Sequence, residues 1–163
     1  MTDTVVIAVG HGHRGDDGVG AACLRNLAAR RVDAALVHAR ADPGDLARGM
    51  LGRRRAFVID AARLGGTPGQ IRTFDLRDPT LAERMRPRQG MGLLEAVALV
   101  RGLHGLPEIC QLIVVESPTL GYGERLSPPV AAAVRRVTEG VTRACQHASD
   151  RLDEAFVSGP PFD

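Results

Sequence analysis

The chain has 163 residues and 44% hydrophobic content, enough for one domain with a full core and too much for a wholly disordered chain. Its 21 basic residues are all arginine against 19 acids, and aromatics make up 3% with no tryptophan; neither a clustered phosphate-tracking patch nor a base-stacking platform is present, so no nucleic-acid partner is expected. Cys23, Cys110 and Cys145 form no CxxC pair, the N-terminus MTDTVVIAVG carries acid where an export signal needs basic charge, and no apolar run approaches the ~18 residues of a membrane helix, so a cytoplasmic protein with no membrane partner is expected.

In chain order, Thr4–Val9 is a β-branched run ending in Gly10 and predicts a buried strand. After a glycine-rich loop, Gly18 to Arg31 predicts a helix with Val19, Cys23, Leu24 and Leu27 on one stripe. Ala34–Ala39 predicts a second strand, and Asp42 caps a short helix from Pro43 to Leu51. Ala56–Asp60 predicts a third strand that ends in a carboxylate. Gly65, Gly66, Pro68 and Gly69 then mark a loop before an edge-like strand, Ile71–Phe74. Asp75–Arg88 is polar and carries two prolines, which points to irregular structure. Leu93 to Leu103 predicts a helix, and Ile109–Val115 another buried strand. Ser127-Pro128-Pro129 opens the longest helix, whose core stripe is Val130, Val134, Val137, Val141 and Cys145.

Strands separated by helices imply a three-layer α/β/α sandwich, with about five strands in a mainly parallel, mixed sheet. Residues 1–148 form the single domain of this reading, and 149–163 a disordered tail.

Ligands of open α/β sheets bind beyond the carboxyl ends of the strands. Three unusual segments fall there: Gly10 to Gly20 (GHGHRGDDGVG), Asp60, and Glu116-Ser117-Pro118. The first satisfies GxGxxG, a weak dinucleotide signal. Asp16 and Asp17 at the helix start oppose it, because a pyrophosphate there needs unopposed N–H donors. As helix-capping acids the pair is unremarkable, but two adjacent acids in so glycine-rich a segment exceed what a cap requires and raise the case for a cation site. Ser117 lacks a nucleophile-elbow sequence and HExxH is absent, so neither a Ser-His-Asp hydrolase nor a zincin is expected. The three cysteines read as packing residues, and His38, His104 and His147 as structural.

The segment from Gly10 to Gly20 resembles the opening motif of the hydrogenase maturation proteases, which usually read GN, four variable residues, then DDGxG or its D-E variant. Phe57-Val58-Ile59-Asp60-Ala61 is similar to that family's second acidic site at a strand end, and Thr67-Pro68-Gly69 to its PG turn. Glu116-Ser117 through Leu126-Ser127-Pro128-Pro129-Val130 is similar to its C-terminal strand-to-helix segment, so the resemblance spans about Val5 to Val141. It implies a metal-facing cleft at the strand ends. Carried over by motif, the metal-facing residues are Asp17 and Asp60, which then share one cleft, with both acids also the catalytic candidates.

Two positions depart from the family pattern. Gln89, in Arg88-Gln89-Gly90-Met91-Gly92-Leu93, stands where the family has histidine, and His11 where it has asparagine. An amide oxygen is a weaker donor to a borderline ion such as nickel than an imidazole. His11 is therefore the candidate replacement, flanked by glycines that let its ring turn, while hydrogen bonding within the loop is its bland alternative. The loop histidine His13 reads as solvent-exposed.

The resemblance thus implies an endopeptidase that removes the C-terminal extension of a [NiFe]-hydrogenase large-subunit precursor after nickel insertion, the nickel being that of the substrate and no organic cofactor being required. The alternative is a non-catalytic relative that binds or senses the nickel-loaded subunit, favoured by the loss of histidine at Gln89. A dinucleotide-binding enzyme is the third reading.

Overall fold

The structure is a computed structural model and describes residues 2–10, 18–39, 42–84, 91–103, 105–117 and 125–147. Five strands alternate with helices: β1 (Thr4–Val9), α1 (Val19–Ala29), β2 (Ala35–Ala39), α2 (Pro43–Met50), β3 (Arg55–Ala62), β4 (Ile71–Asp75), α3 (Leu81–Arg84), α4 (Met91–Leu103), β5 (Ile109–Glu116) and α5 (Pro128–Gln146). They form one sheet in the order β2-β1-β3-β5-β4. The first four strands of that order run parallel, and β4 pairs with β5 antiparallel at the edge. The mixed five-stranded sheet expected from the alternating pattern is therefore present.

Period-two alternation along the strands builds two cores. Val6, Phe57, Ile59, Ile113 and Val115 face one layer with Val19, Cys23 and Leu27 of α1 and Val130, Val134, Val137 and Val141 of α5. Val5, Ile7, Val58, Leu112 and Val114 face the other, with Leu46 and Met50 of α2 and Leu93, Val97 and Val100 of α4. The predicted helix stripes are buried as expected, apart from half-buried Leu24. Asp42 caps α2, its Oδ1 accepting from the Asp45 N–H at 3.0 Å.

Three expectations need correction. β3 does not stop at Asp60 but continues through Ala61 and Ala62, because β5 supplies pairing partners as far as Glu116. α1 begins at Val19, one position later than expected, with Gly18 in the capping position; Asp16 and Asp17 lie outside the described residues. Ser127 precedes α5, and its carbonyl accepts from Ala131 N–H, but its side chain makes no cap hydrogen bond. The polar stretch after Phe74 contains a last β4 residue and the single turn α3. The expected tail, 149–163, lies outside the described residues.

Gly20 explains part of the motif in packing terms. A Cβ there would lie 2.7 Å from Ala8 Cβ and 3.3 Å from the Ile59 carbonyl, so glycine lets α1 rest directly on β1 and β3. Gly20→Ala should gain up to about 1 kcal/mol of helix propensity but lose more to overpacking, typically about 1–3 kcal/mol. A net loss of about 1–2 kcal/mol in urea unfolding is the expected outcome; a stabilised variant would show that α1 can lift off the sheet freely.

At the opposite edge, Arg55 ties the sheet to α5. Its Nε donates to Thr4 Oγ1 at 3.0 Å, and its Nη1 donates to the carbonyls of Ala144 at 2.6 Å and His147 at 3.1 Å. The three cysteines are free and buried, and desolvation pushes the Cys23 and Cys110 thiols up to about 12, which fits packing roles.

Candidate functional site at the carboxyl edge of the sheet

The chain leaves β1 to one side for β2 and returns to the other side for β3, so the strand order reverses between β1 and β3. The crevice above that reversal is where open α/β sheets bind ligands. The β1–β3 ladder runs to Ala8 opposite Ile59, and the next rung brings Val9 level with Asp60. β1 ends at that level while β3 continues beside β5, which places Asp60 at the switch point. Its carboxylate is half-buried, and its Oδ1 accepts from the Ala61 N–H at 2.8 Å. By alternation between Val58 and Ala62, Asp60 belongs to the face covered by α2 and α4.

Of the other expected site residues, Asp17, His11 and Gln89 lie outside the described residues. The elements that follow them are placed. α1 starts where the crossover from β1 begins, at the carboxyl edge. α4 leads down to the start of β5, whose Ile109 pairs with Arg55 at the amino edge, so its Met91 end lies at the carboxyl edge. In sequence, Asp17 precedes Val19 by two positions and Gln89 precedes Met91 by two. Among the described residues, no group of three or more His, Cys, Asp and Glu is close enough to hold a metal ion.

Glu116 turns out to be an anchor. It is 5% exposed at the end of β5. Its carboxylate accepts from the Leu64 N–H at 2.9 and 3.0 Å and from the Gly65 N–H at 3.1 Å. Its own carbonyl accepts from Gly69 N–H and its N–H donates to the Gln70 carbonyl, both at 2.8 Å. The segment that follows Asp60 is thus fastened at both ends to one residue. Burial lowers the Arg72 guanidinium, and the Glu116 charge opposes that shift. Glu116→Ala orphans two N–H groups and should cost about 2–3 kcal/mol in denaturant unfolding, whereas Glu116→Gln keeps one acceptor and should cost about half of that. Equal losses in both variants would assign the effect to charge instead.

Gly69, of the Thr67-Pro68-Gly69 turn, has φ +82°, and a Cβ on it would meet the backbone of Pro129 at the start of α5. Glycine is required there twice, by conformation and by contact.

His38, read as structural from the sequence, makes a backbone contact just beyond the end of β1. Its Nε2 lies 2.7 Å from the Gly10 carbonyl oxygen. The signal available in sequence was a polar ring inside the otherwise apolar run AALVHA.

No protein-family model matches the sequence, and no curated protein matches it. Solved structures do match. The chain is similar to the [NiFe] hydrogenase maturation protease HybD from Thermococcus kodakarensis, with 23% identity and a TM-score of 0.73 over 89% of this chain and 99% of that one. The hydrogenase maturating endopeptidase HybD from E. coli gives 20% identity and a TM-score of 0.77 over 91% of this chain and 94% of that one. A [NiFe] hydrogenase maturation protease HycI from Thermococcus kodakarensis KOD1 gives 20% and 0.68 over 88% and 92%. With both chains covered almost end to end, this protein has the fold of the [NiFe] hydrogenase maturation proteases.

Proposed function

We propose that the chain is a hydrogenase maturation endopeptidase of the cytoplasm, which removes the C-terminal extension of a [NiFe]-hydrogenase large-subunit precursor after nickel insertion. The observation that carries this reading is Asp60, a carboxylate at the switch point of a sheet that has the fold of such proteases. The DDGVG motif and the residue-by-residue resemblance supply Asp17 as its partner, with His11 and Gln89 as the remaining polar donors.

A divalent ion beside a scissile carbonyl polarises it and lowers the pKa of nearby water. In this reading the nickel belongs to the substrate, and Asp17 and Asp60 face it or the water beside it. One of the two carboxylates takes the water proton as general base. Water oxygen then bonds to the carbonyl carbon, the C–N bond breaks, and the proton passes to the departing amine. The Ala61 N–H holds one oxygen of Asp60 and so fixes the carboxylate's direction.

The test is incubation with a nickel-loaded precursor, followed by mass measurement of the large subunit. Loss of a C-terminal fragment is the expected result. An unshortened precursor, under conditions where a known maturation protease cuts it, removes the protease reading. If the chain nevertheless co-elutes with that precursor, the binding alternative suggested by Gln89 takes its place.

A further inference from the structure

We propose that the outer face of α1 and α5 is a docking surface for an acidic patch on the precursor protein. The inference rests on the functional reading above and adds a requirement on the partner's surface that Asp60 does not impose. Along the sequence the arginines are interspersed with acids, but the fold sorts them. α1 and α5 cover one side of the sheet together, and at their seam Asn26 Nδ2 donates to Thr138 Oγ1 at 3.4 Å. On this layer α1 and the two residues that close it carry Arg25, Arg30 and Arg31, while α5 carries Arg135, Arg136 and Arg143. All are exposed except half-buried Arg136. The acids facing them are Glu139 on α5 and exposed Asp33 in the turn to β2. The helices of the opposite layer, α2, α3 and α4, hold three arginines and three acids. One layer is strongly cationic and the other is balanced.

Arg31 is a second, independent observation. It has φ +52°, in the left-handed position just after a helix where glycine or asparagine is the usual residue. The helix end is otherwise regular: Arg31 N–H donates to the Ala28 carbonyl at 3.1 Å and Val32 N–H to the Leu27 carbonyl at 3.5 Å. A side chain costs stability in that conformation, so the chain keeps a cation where glycine would fold better. Arg30 alone would serve the dipole of α1, and Arg143 that of α5. Arg25 and Arg135 stand away from the helix ends, where the dipole gives them no role.

α1 and α5 both start at the carboxyl edge of the sheet, the edge that holds Asp60. A protein whose scissile bond reaches Asp60 is larger than the crevice and can lie along these helices. Separate carboxylates suit the face better than a nucleic acid does. Glu139 sits four positions from both Arg135 and Arg143 on one stripe of α5, where a continuous phosphate backbone would meet it. Neither helix carries an aromatic side chain on which a base could stack.

The experiment pairs two double variants that lose equal charge. Arg25→Gln/Arg135→Gln takes it from this face, and Arg48→Gln/Arg101→Gln takes it from the opposite layer. Glutamine has nearly the helix propensity of arginine, so Tm should stay within about 3 °C in both. Cleavage of nickel-loaded precursor is followed by mass, and its binding by biolayer interferometry, from about 0.05 to about 0.5 M salt. The first variant should raise KM and Kd at least about fivefold at low salt with kcat within about twofold, and its binding should weaken less with salt than that of the wild type. The second should stay within about twofold of wild type throughout. Arg25→Lys/Arg135→Lys, which keeps the charge, should also stay within about twofold. Arg31→Gly should raise Tm by about 2–4 °C and yet weaken binding at least about twofold.

Unchanged KM and Kd in the first variant overturn the proposal, as do equal losses in the two glutamine doubles, which would leave net charge as the cause. Equal failure of the glutamine and lysine variants of this face overturns it in favour of packing. If the wild type binds the precursor without cutting it, the protease reading falls while Kd still decides the face. If it neither cuts nor binds, both fall. Tighter binding of a fluorescent DNA duplex than of precursor at about 0.15 M salt, lost in the first variant, overturns it in favour of a nucleic acid.

Discussion

Asp60→Asn should leave the fold in place and stop the shortening of a nickel-loaded precursor. Asparagine has the shape of aspartate, and its Oδ1 can still accept from the Ala61 N–H, so the stability change should stay within about 1 kcal/mol. What disappears is the negative charge and the basic oxygen at the switch point. Removing a general base costs about 10²–10⁴-fold in rate, and losing a carboxylate that faces a metal adds to that. The measurement is the time course of large-subunit mass with variant and wild type at equal concentration, alongside thermal unfolding. Asp60→Glu, which restores charge at the wrong reach, should recover only a small part. Processing at the wild-type rate by Asp60→Asn would reduce this carboxylate to a local backbone acceptor within β3.

Gly69→Ala should be the most destabilising single-methyl addition among the described glycines. A left-handed backbone costs an L-residue about 1–2 kcal/mol. The new Cβ would also press on the Pro129 carbonyl oxygen and lie 2.7 Å from its carbon, and backbone cannot rotate aside as a long side chain can. The start of α5 or the whole turn has to shift, and with it the Gly69 N–H bond to the Glu116 carbonyl. A loss of about 3–5 kcal/mol follows, or at least about 6 °C in Tm for a chain of this size. Gly65 supplies the internal control. Its φ is +83°, nearly the same, yet a Cβ there meets nothing within 4 Å, so Gly65→Ala should show the conformational cost alone. Equal losses at the two positions would mean that contact with α5 contributes nothing.

The contrast between these glycines also shows where sequence reading stops. Both stand in GGTPG and both signal a turn, but only the folded chain brings Pro129 against one of them. Strand existence was legible because β-branched apolar runs such as TVVIAV and ICQLIVV are local signals. Strand ends were not, since Ala61 and Ala62 extend β3 only because β5 is there to pair with them. Helix faces were legible from spacing, as Val130, Val134, Val137 and Val141 show. The start of α1 was legible to within one position, Gly18 being the capping residue rather than the first helical one. At the site, Asp60 stood out as a carboxylate closing an apolar run. Glu116 was noticed as an oddity, but its two-N–H grip on Leu64 and Gly65 depends on a tertiary approach across more than fifty positions. The bond from His38 to Gly10 is non-local in the same way.

The guanidinium of Arg55 has a bearing on how the molecule comes apart. Helix ends normally fray first, since their last carbonyls have only water as a partner. Here two of the terminal carbonyls of the longest helix belong to a cation on the first residue of the central strand, which also grips the first residue of β1. Unwinding that last turn therefore strips a charge of its acceptors and loosens the opening rung between two strands at once. The C-terminal helix and the middle of the sheet thus behave as one cooperative block, and a truncation at Ala144 would be felt first in β1 and β3.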